Sequence, residues 1–165
     1  MNIRRISSED TDALARFFLT LTPAQRKDFH PHPFTTKMAE RIAHGSAIAG
    51  PVWVATEREH IVGYVFLSGG IDDWPQLGIA VSPAETGRGL GTELVATAVE
   101  WARTNGKCGV VLTVYQDNVA AIRTYDKVGF RPTRALWFME VDFSPTSYHT
   151  TLGGSGGGSP PRVKD

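Results

Sequence analysis

The sequence predicts an α/β domain of the mixed α+β type, and three observations carry that expectation. Apolar runs of strand length, rich in valine and isoleucine, cover residues 52–57, 61–67, 76–81 and 110–115. Apolar residues also recur at helical spacing, as in Leu14, Phe17, Phe18 and Leu21, and again in Leu90, Leu94, Ala98 and Trp101. The two kinds of run alternate along the chain, with Gly, Pro, Asn and Asp between them. Counted through, they imply a sheet of about six to seven strands flanked by about four helices.

The elements follow in order. Residues 1–6 can form a first strand, and Ser8, Glu9 and Asp10 offer N-caps for a helix with the Leu14 to Leu21 stripe. Pro23 interrupts that stripe, and residues 24–29 add one short turn. In Phe29-His30-Pro31-His32-Pro33-Phe34 both histidines precede prolines, which drives their backbones extended and sets the two rings toward one side. Thr35 or Thr36 caps a second helix that ends near Gly45. Residues 52–57 and 61–67 make a hairpin around Arg58-Glu59-His60, and residues 68–75 read as a loop bearing Asp72, Asp73 and Trp74. Trp74 is expected in the core. The strand 76–81 leads through a glycine-rich junction into a helix that stops at Asn105-Gly106. The β-branched run 110–115 reads as a central strand, and Asn118 opens a helix closed by Gly129. Phe130 and residues 135–143 are the remaining strand candidates.

Composition bounds the function. At 165 residues, one domain over residues 1–143 is expected, followed by a flexible Gly/Ser/Pro-rich tail at 144–165. Lysine plus arginine equal aspartate plus glutamate at 17 each, so no net field favours nucleic acid or an anionic membrane. No apolar run approaches spanning length and residues 1–5 lack a signal-peptide core, so a cytoplasmic protein is expected. The single cysteine, Cys108, excludes an internal disulfide and reads as a small core residue. His30 and His32 lack further ligands at metal spacing, so no metal is expected.

Two stretches carry the chemistry. In Thr86-Gly87-Arg88-Gly89-Leu90-Gly91 three glycines cluster at a helix start, where each costs on the order of 1 kcal/mol against alanine. Bare backbone there lets N–H groups close on a bulky anion at the positive end of a helix, the requirements of a pyrophosphate cradle. Downstream, Asn118 and Tyr125 lie seven residues apart, two helical turns, and share a face with Ala121 and Ile122 between them. Tyr125 therefore turns toward the sheet.

This ordered pair of motifs closely resembles the two acetyl-CoA motifs of the GNAT N-acetyltransferase superfamily. The family loop runs R/Q-x-x-G-x-G/A; Gly89 and Gly91 match it, while Thr86 stands where the long side chain is usual. The resemblance implies a central, mixed, mostly antiparallel twisted sheet, with acetyl-CoA as co-substrate. It implies that main-chain groups of Ile79, Ala80 and Val81 hold the pantetheine arm, and that the loop from Thr86 and Gly87 through Arg88, Gly89, Leu90 and Gly91 to Thr92 holds the pyrophosphate. Asn118 can cap its helix, touch the cofactor beside Ala121, or do both. Tyr125 stands at the family's general-acid position: a phenol near pKa 10 stays protonated beside a thiol near 8.5. For the base, Asp72, Asp73, His30, His32 and Glu57 stay open, with Asp72 and His30 foremost. The implied reaction is direct acetyl transfer to a primary amine of a small molecule, with amino sugars one class that the two loops resemble. A monomer or homodimer is expected on the same resemblance. The alternatives are a protein or peptide amine, or a non-catalytic acyl-CoA-binding module.

Overall fold

A computed structural model describes residues 1–71, 73–133 and 138–142. The expected tail at 144–165 and the candidate Asp72 lie outside the described residues, as does part of the expected strand 135–143. Among the described residues seven strands form one sheet, in the order β1-β2-β3-β4-β5-β7-β6. They are β1 (Asn2–Arg5), β2 (Val52–Glu57), β3 (His60–Ile71), β4 (Trp74–Val81), β5 (Gly109–Thr113), the two-residue β6 (Arg131–Pro132) and β7 (Phe138–Asp142). Five α-helices accompany them among the described residues: α1 (Thr11–Thr20), α2 (Pro23–Asp28), α3 (Thr36–Ala43), α4 (Leu90–Thr104) and α5 (Val119–Val128). The expected mixed, mostly antiparallel sheet is present, with β4 and β5 its parallel pair.

Strand alternation divides the core in two. Val52, Val54, Tyr64 and Phe66 face α1 and α3, where they meet Leu14, Phe17, Phe18 and Ile42. Trp53, Ala55, Val65 and Leu67 face the other way, onto Leu90, Leu94, Ala98, Tyr125 and Phe130. Both faces are thus covered, which is why these strands are nearly continuous in apolar residues rather than alternating with polar ones. The caps behave as expected of their chemistry: Thr35 Oγ1 accepts from the Met38 amide at 3.2 Å, and Asn118 Oδ1 from the Ala121 amide at 3.1 Å. At the start of the chain Asp10 accepts from the Ser7 amide at 2.8 Å and takes both ends of the Arg4 guanidinium at 2.7 Å, tying β1 to the first helical turn.

Three expectations change. The segment expected as a loop is largely strand: β3 runs on to Ile71 and pairs it with Trp74, so the connection is a tight hairpin with Asp73 in the left-handed region at φ 66°. Trp74 is half-buried instead of core. Cys108 is exposed, because it stands in the turn before β5 and not in the strand.

Candidate active site

The site begins where β4 and β5 part. Their parallel pairing consists of one registered pair, Gln76 with Val111, beyond which the strands splay. Parallel neighbours joined by an intact ladder would leave no room between them; this divergence opens a cleft of about 820 Å³. Gln76 to Ile79 line it on the β4 side and Thr113 to Tyr115 on the β5 side. Phe29, His30, His32 and Ile48 close it from the segment around α2 and α3, and Tyr125 enters from α5.

The edge of β4 that faces the splay carries main-chain donors and acceptors. The Ser82 amide donates to the Val62 carbonyl at 2.8 Å, toward β3. Because successive residues of a strand turn their N–H and C=O to opposite edges, Val81 and Ile79 present theirs toward the gap. The glycine junction follows directly. Gly87 and Gly89 both sit in the left-handed region, at φ 83° and 87°, and a Cβ on either would meet no atom within 4 Å. The loop therefore needs glycine for its backbone path, and the space over it is open. Gly89 is the residue before the first turn of the 15-residue α4, whose first amides are left for a partner. A Cβ on Gly91 would lie 3.5 Å from Thr124, so the start of α4 packs closely on α5, one residue from Tyr125.

Tyr125 is 7% exposed, and burial pushes its phenol up to about 12. Tyr64, on the other side of the sheet, is likewise raised by burial. A folded chain that keeps both phenols protonated binds more protons above pH ~10 than the unfolded chain does. Stability contributed by these groups is complete below that value and falls as the pH rises toward 12. The urea midpoint is accordingly expected to drop over this window, and to drop less in Tyr125→Phe.

The candidate bases separate by their partners. Asp73 is ion-paired with Lys107 at 2.7 Å on an exposed turn outside the cleft, and Glu57 ends β2 opposite His60, also away from it. His32 Nδ1 donates to the Pro33 carbonyl at 3.1 Å, so in the neutral ring Nε2 is the lone-pair nitrogen, and the Tyr64 hydroxyl donates to it at 3.0 Å. Burial lowers the His32 pKa and favours that neutral form. Its ring packs tilted or edge-on among Phe18, Phe34 and Phe66, which makes it part of an aromatic wall. His30 differs: it is exposed, lines the cleft, and its Nδ1 donates to the Lys27 carbonyl at 3.0 Å. That bond leaves Nε2 as the acceptor nitrogen. Arg88 is less available than its position in the loop suggests, because the guanidinium holds Glu85 at 3.0 and 2.8 Å. Glu85 is 6% exposed, and sequence reasoning missed it; an acidic residue three before an arginine is its only signal.

A splayed parallel strand pair, a glycine-rich turn into a long helix and a buried tyrosine from the following helix define an acyl-transfer fold. The sequence profile of the Acetyltransferase (GNAT) family matches residues 15–130, and the chain belongs to that family of acyltransferases. A mycothiol acetyltransferase of Nocardia farcinica is 35% identical over 78 residues, which are 45% of this chain and 26% of that protein. The chain spans about a quarter of the length of the curated relatives it matches. Among solved structures, the GNAT domain of S. lividans PAT has a TM-score of 0.75 at 18% identity, covering 85% of this chain and 89% of that one. YncA, a putative acetyltransferase from Salmonella typhimurium solved with its cofactor acetyl-CoA, has a TM-score of 0.72 at 23% identity over 88% and 95% of the two chains. Among the described residues no helix is long and apolar enough to cross a membrane.

Proposed function

We propose that this chain transfers an acetyl group from acetyl-CoA to the primary amine of a small molecule. The observation that carries the reading is the cleft itself, in which the open edge of β4, the β5 terminus and Tyr125 meet. The residues present suit the donor. Gly87 and Gly89 leave open space over a backbone that turns into a helix N-terminus, the chemistry a pyrophosphate requires, and the bare β4 edge suits an arm of secondary amides. Acetyl-CoA supplies the activated acyl group as a thioester.

The chain's own residues then divide the work. Amides of Gly87, Gly89, Leu90, Gly91 and Thr92 hold the diphosphate, since those of Thr86 and Arg88 already donate to the Pro83 and Glu85 carbonyls at 3.3 Å. Arg88, held by Glu85, brings one positive charge to the loop's rim. Ile79, Ala80 and Val81 flank the arm, and an outward N–H of Ile79 or Val81 is the donor for charge that builds on the carbonyl oxygen. Asn118 caps α5 and leaves its Nδ2 for the cofactor beside Ala121. Tyr125 donates its hydroxyl hydrogen to the departing sulfur. His30 Nε2 is the described group best placed to take a proton from an ammonium entering the cleft. Asp72 remains the other proposed base, and residues 1–143 are proposed to act as one domain.

An amino sugar is one proposed acceptor, and relatives named mycothiol acetyltransferase support a small-molecule acceptor in general. Thiol release from acetyl-CoA, followed against amino sugars, aminoglycosides, polyamines, amino acids and peptides, tests the proposal. Turnover with a small amine is the expected result. Calorimetric binding of coenzyme A without turnover of any amine would leave only a binding module, and no binding would remove the proposal altogether.

A further inference from the structure

Helix α2 is fastened to the open edge of β4 by one side chain. Gln25 is the third residue of α2, and its Oε1 accepts from the Thr22 amide at 3.0 Å and the Thr22 hydroxyl at 3.2 Å. Thr22 Oγ1 in turn accepts from the Gln25 amide at 3.2 Å, completing a capping box. With Oε1 committed to the cap, the NH2 group faces outward, where it donates to the Val81 carbonyl at 2.9 Å. A carbonyl can only accept, so this second partner assigns the amide orientation independently.

The Val81 carbonyl is no ordinary acceptor. It lies on the edge of β4 left bare by the departure of β5, at the last residue of the strand before the glycine junction. An arm of secondary amides running along that edge would need this oxygen for one of its N–H groups. A carboxamide N–H and a peptide-like N–H are donors of the same kind and similar strength, so one can replace the other at little net cost.

We propose that Gln25 occupies, in the free protein, the hydrogen-bond position on β4 that an amide of the pantetheine arm takes in the complex. The inference rests on the cofactor reading above. Its consequence reaches the other half of the cleft, because α2 runs straight into the segment that contributes Phe29, His30 and His32 to the lining. Binding of the acyl donor frees α2 from β4, and the acceptor side of the cleft gains freedom once the donor is seated. By reciprocity, whatever holds α2 on β4 weakens donor binding by the same factor. Gln25 is a positioning residue in this scheme, since it touches β4 and not the reacting atoms.

Coenzyme A calorimetry and amide hydrogen exchange over residues 23–34 test the idea on the full chain. Gln25→Ala, which removes the competing donor, is expected to bind coenzyme A about three- to tenfold more tightly, the worth of one neutral hydrogen bond. Thr22→Ala loosens the same cap yet keeps the donor, and should bind within about twofold of wild type. Adding coenzyme A should speed exchange over residues 23–34 in the wild type and leave it unchanged in Gln25→Ala. Where that variant is too unstable to handle, Gln25→Glu keeps the capping oxygen, lacks the donor, and should likewise lose the exchange response. Equal or weaker binding by Gln25→Ala, or slower exchange in the wild type on adding coenzyme A, overturns the proposal. A wild type that takes up coenzyme A with an unresponsive α2 removes this inference alone, whereas a wild type that gives no heat removes the cofactor reading with it.

Discussion

Tyr125→Phe is expected to lower the turnover of acetyl transfer about a hundredfold while coenzyme A affinity changes less than about threefold. The ring stays, so its packing against Phe130 at 5.8 Å between centroids is kept, and only the hydroxyl is lost. The size of the effect follows from where the proton is held. At about 12 the phenol lies above an ordinary thiol near 8.5, so full proton transfer to a solvated thiolate would be uphill. On the proposed mechanism the leaving sulfur would be desolvated inside the cleft as well, and burial raises both partners in the same direction. The proposed role needs only a protonated donor beside a developing anion, and burial keeps Tyr125 protonated. The alkaline limb of the pH–rate profile should not contain a Tyr125 ionisation below pH ~11, because the folded group keeps its proton. Single-turnover kinetics of wild type and variant at saturating amine measure the chemical step directly. A variant equal to wild type in that step would make Tyr125 a packing residue.

Gly50→Ala is expected to destabilise the fold by about 3 kcal/mol, the upper end for overpacking. A Cβ at residue 50 would collide with the Leu67 carbonyl oxygen and come within 3.1 Å of its carbon. The obstacle is main chain and cannot turn aside as a side-chain tip would. Residues 50 and 51 are also held from both directions: the Gly50 amide donates to the Ile48 carbonyl at 2.9 Å and the Leu67 amide to the Pro51 carbonyl at 3.0 Å. Relief requires that β3 or the 47–49 segment move, and Ala47, Ile48 and Ala49 line the cleft. Loss of stability and loss of amine affinity should therefore appear together. Equilibrium urea unfolding supplies the first and the KM for the acceptor the second. Gly91→Ala is the contrast, since its Cβ would meet Thr124 at an ordinary 3.5 Å.

Most of the fold was legible because its determinants are local. The β2 segment has strand length and β-branched residues, α4 shows its buried stripe at helical spacing, and Thr35, Asn118 and Gly129 punctuate helices by side-chain or backbone chemistry that acts within four residues. The hairpin at 68–75 was misread for an equally plain reason. Gly69, Gly70, Asp73 and Pro75 carry strong turn signals, yet pairing with β4 resumes at Ile71 beyond an irregularity at the two glycines, which keeps the segment in β3. The candidate bases illustrate the other limit. His30 and His32 are nearly equivalent in the sequence; one ends in a hydrogen bond with Tyr64, 32 residues away, and the other with Lys27 next to it. No local pattern encodes which ring keeps an available nitrogen.

From the chain alone came the family, the pairing of a glycine junction with a tyrosine two turns into the later helix, and the short side chain of Thr86 where the family loop usually carries a long one. These depend on residue type and short spacing, which a sequence displays. The tertiary structure decided the rest: that β4 and β5 separate after a single pair, that Glu85 restrains Arg88, and that Gln25 reaches the Val81 carbonyl. Each of these turns on where an element ends in space relative to another. The sheet's twist and the packing of its two faces set those positions, and no run of neighbouring residues records them.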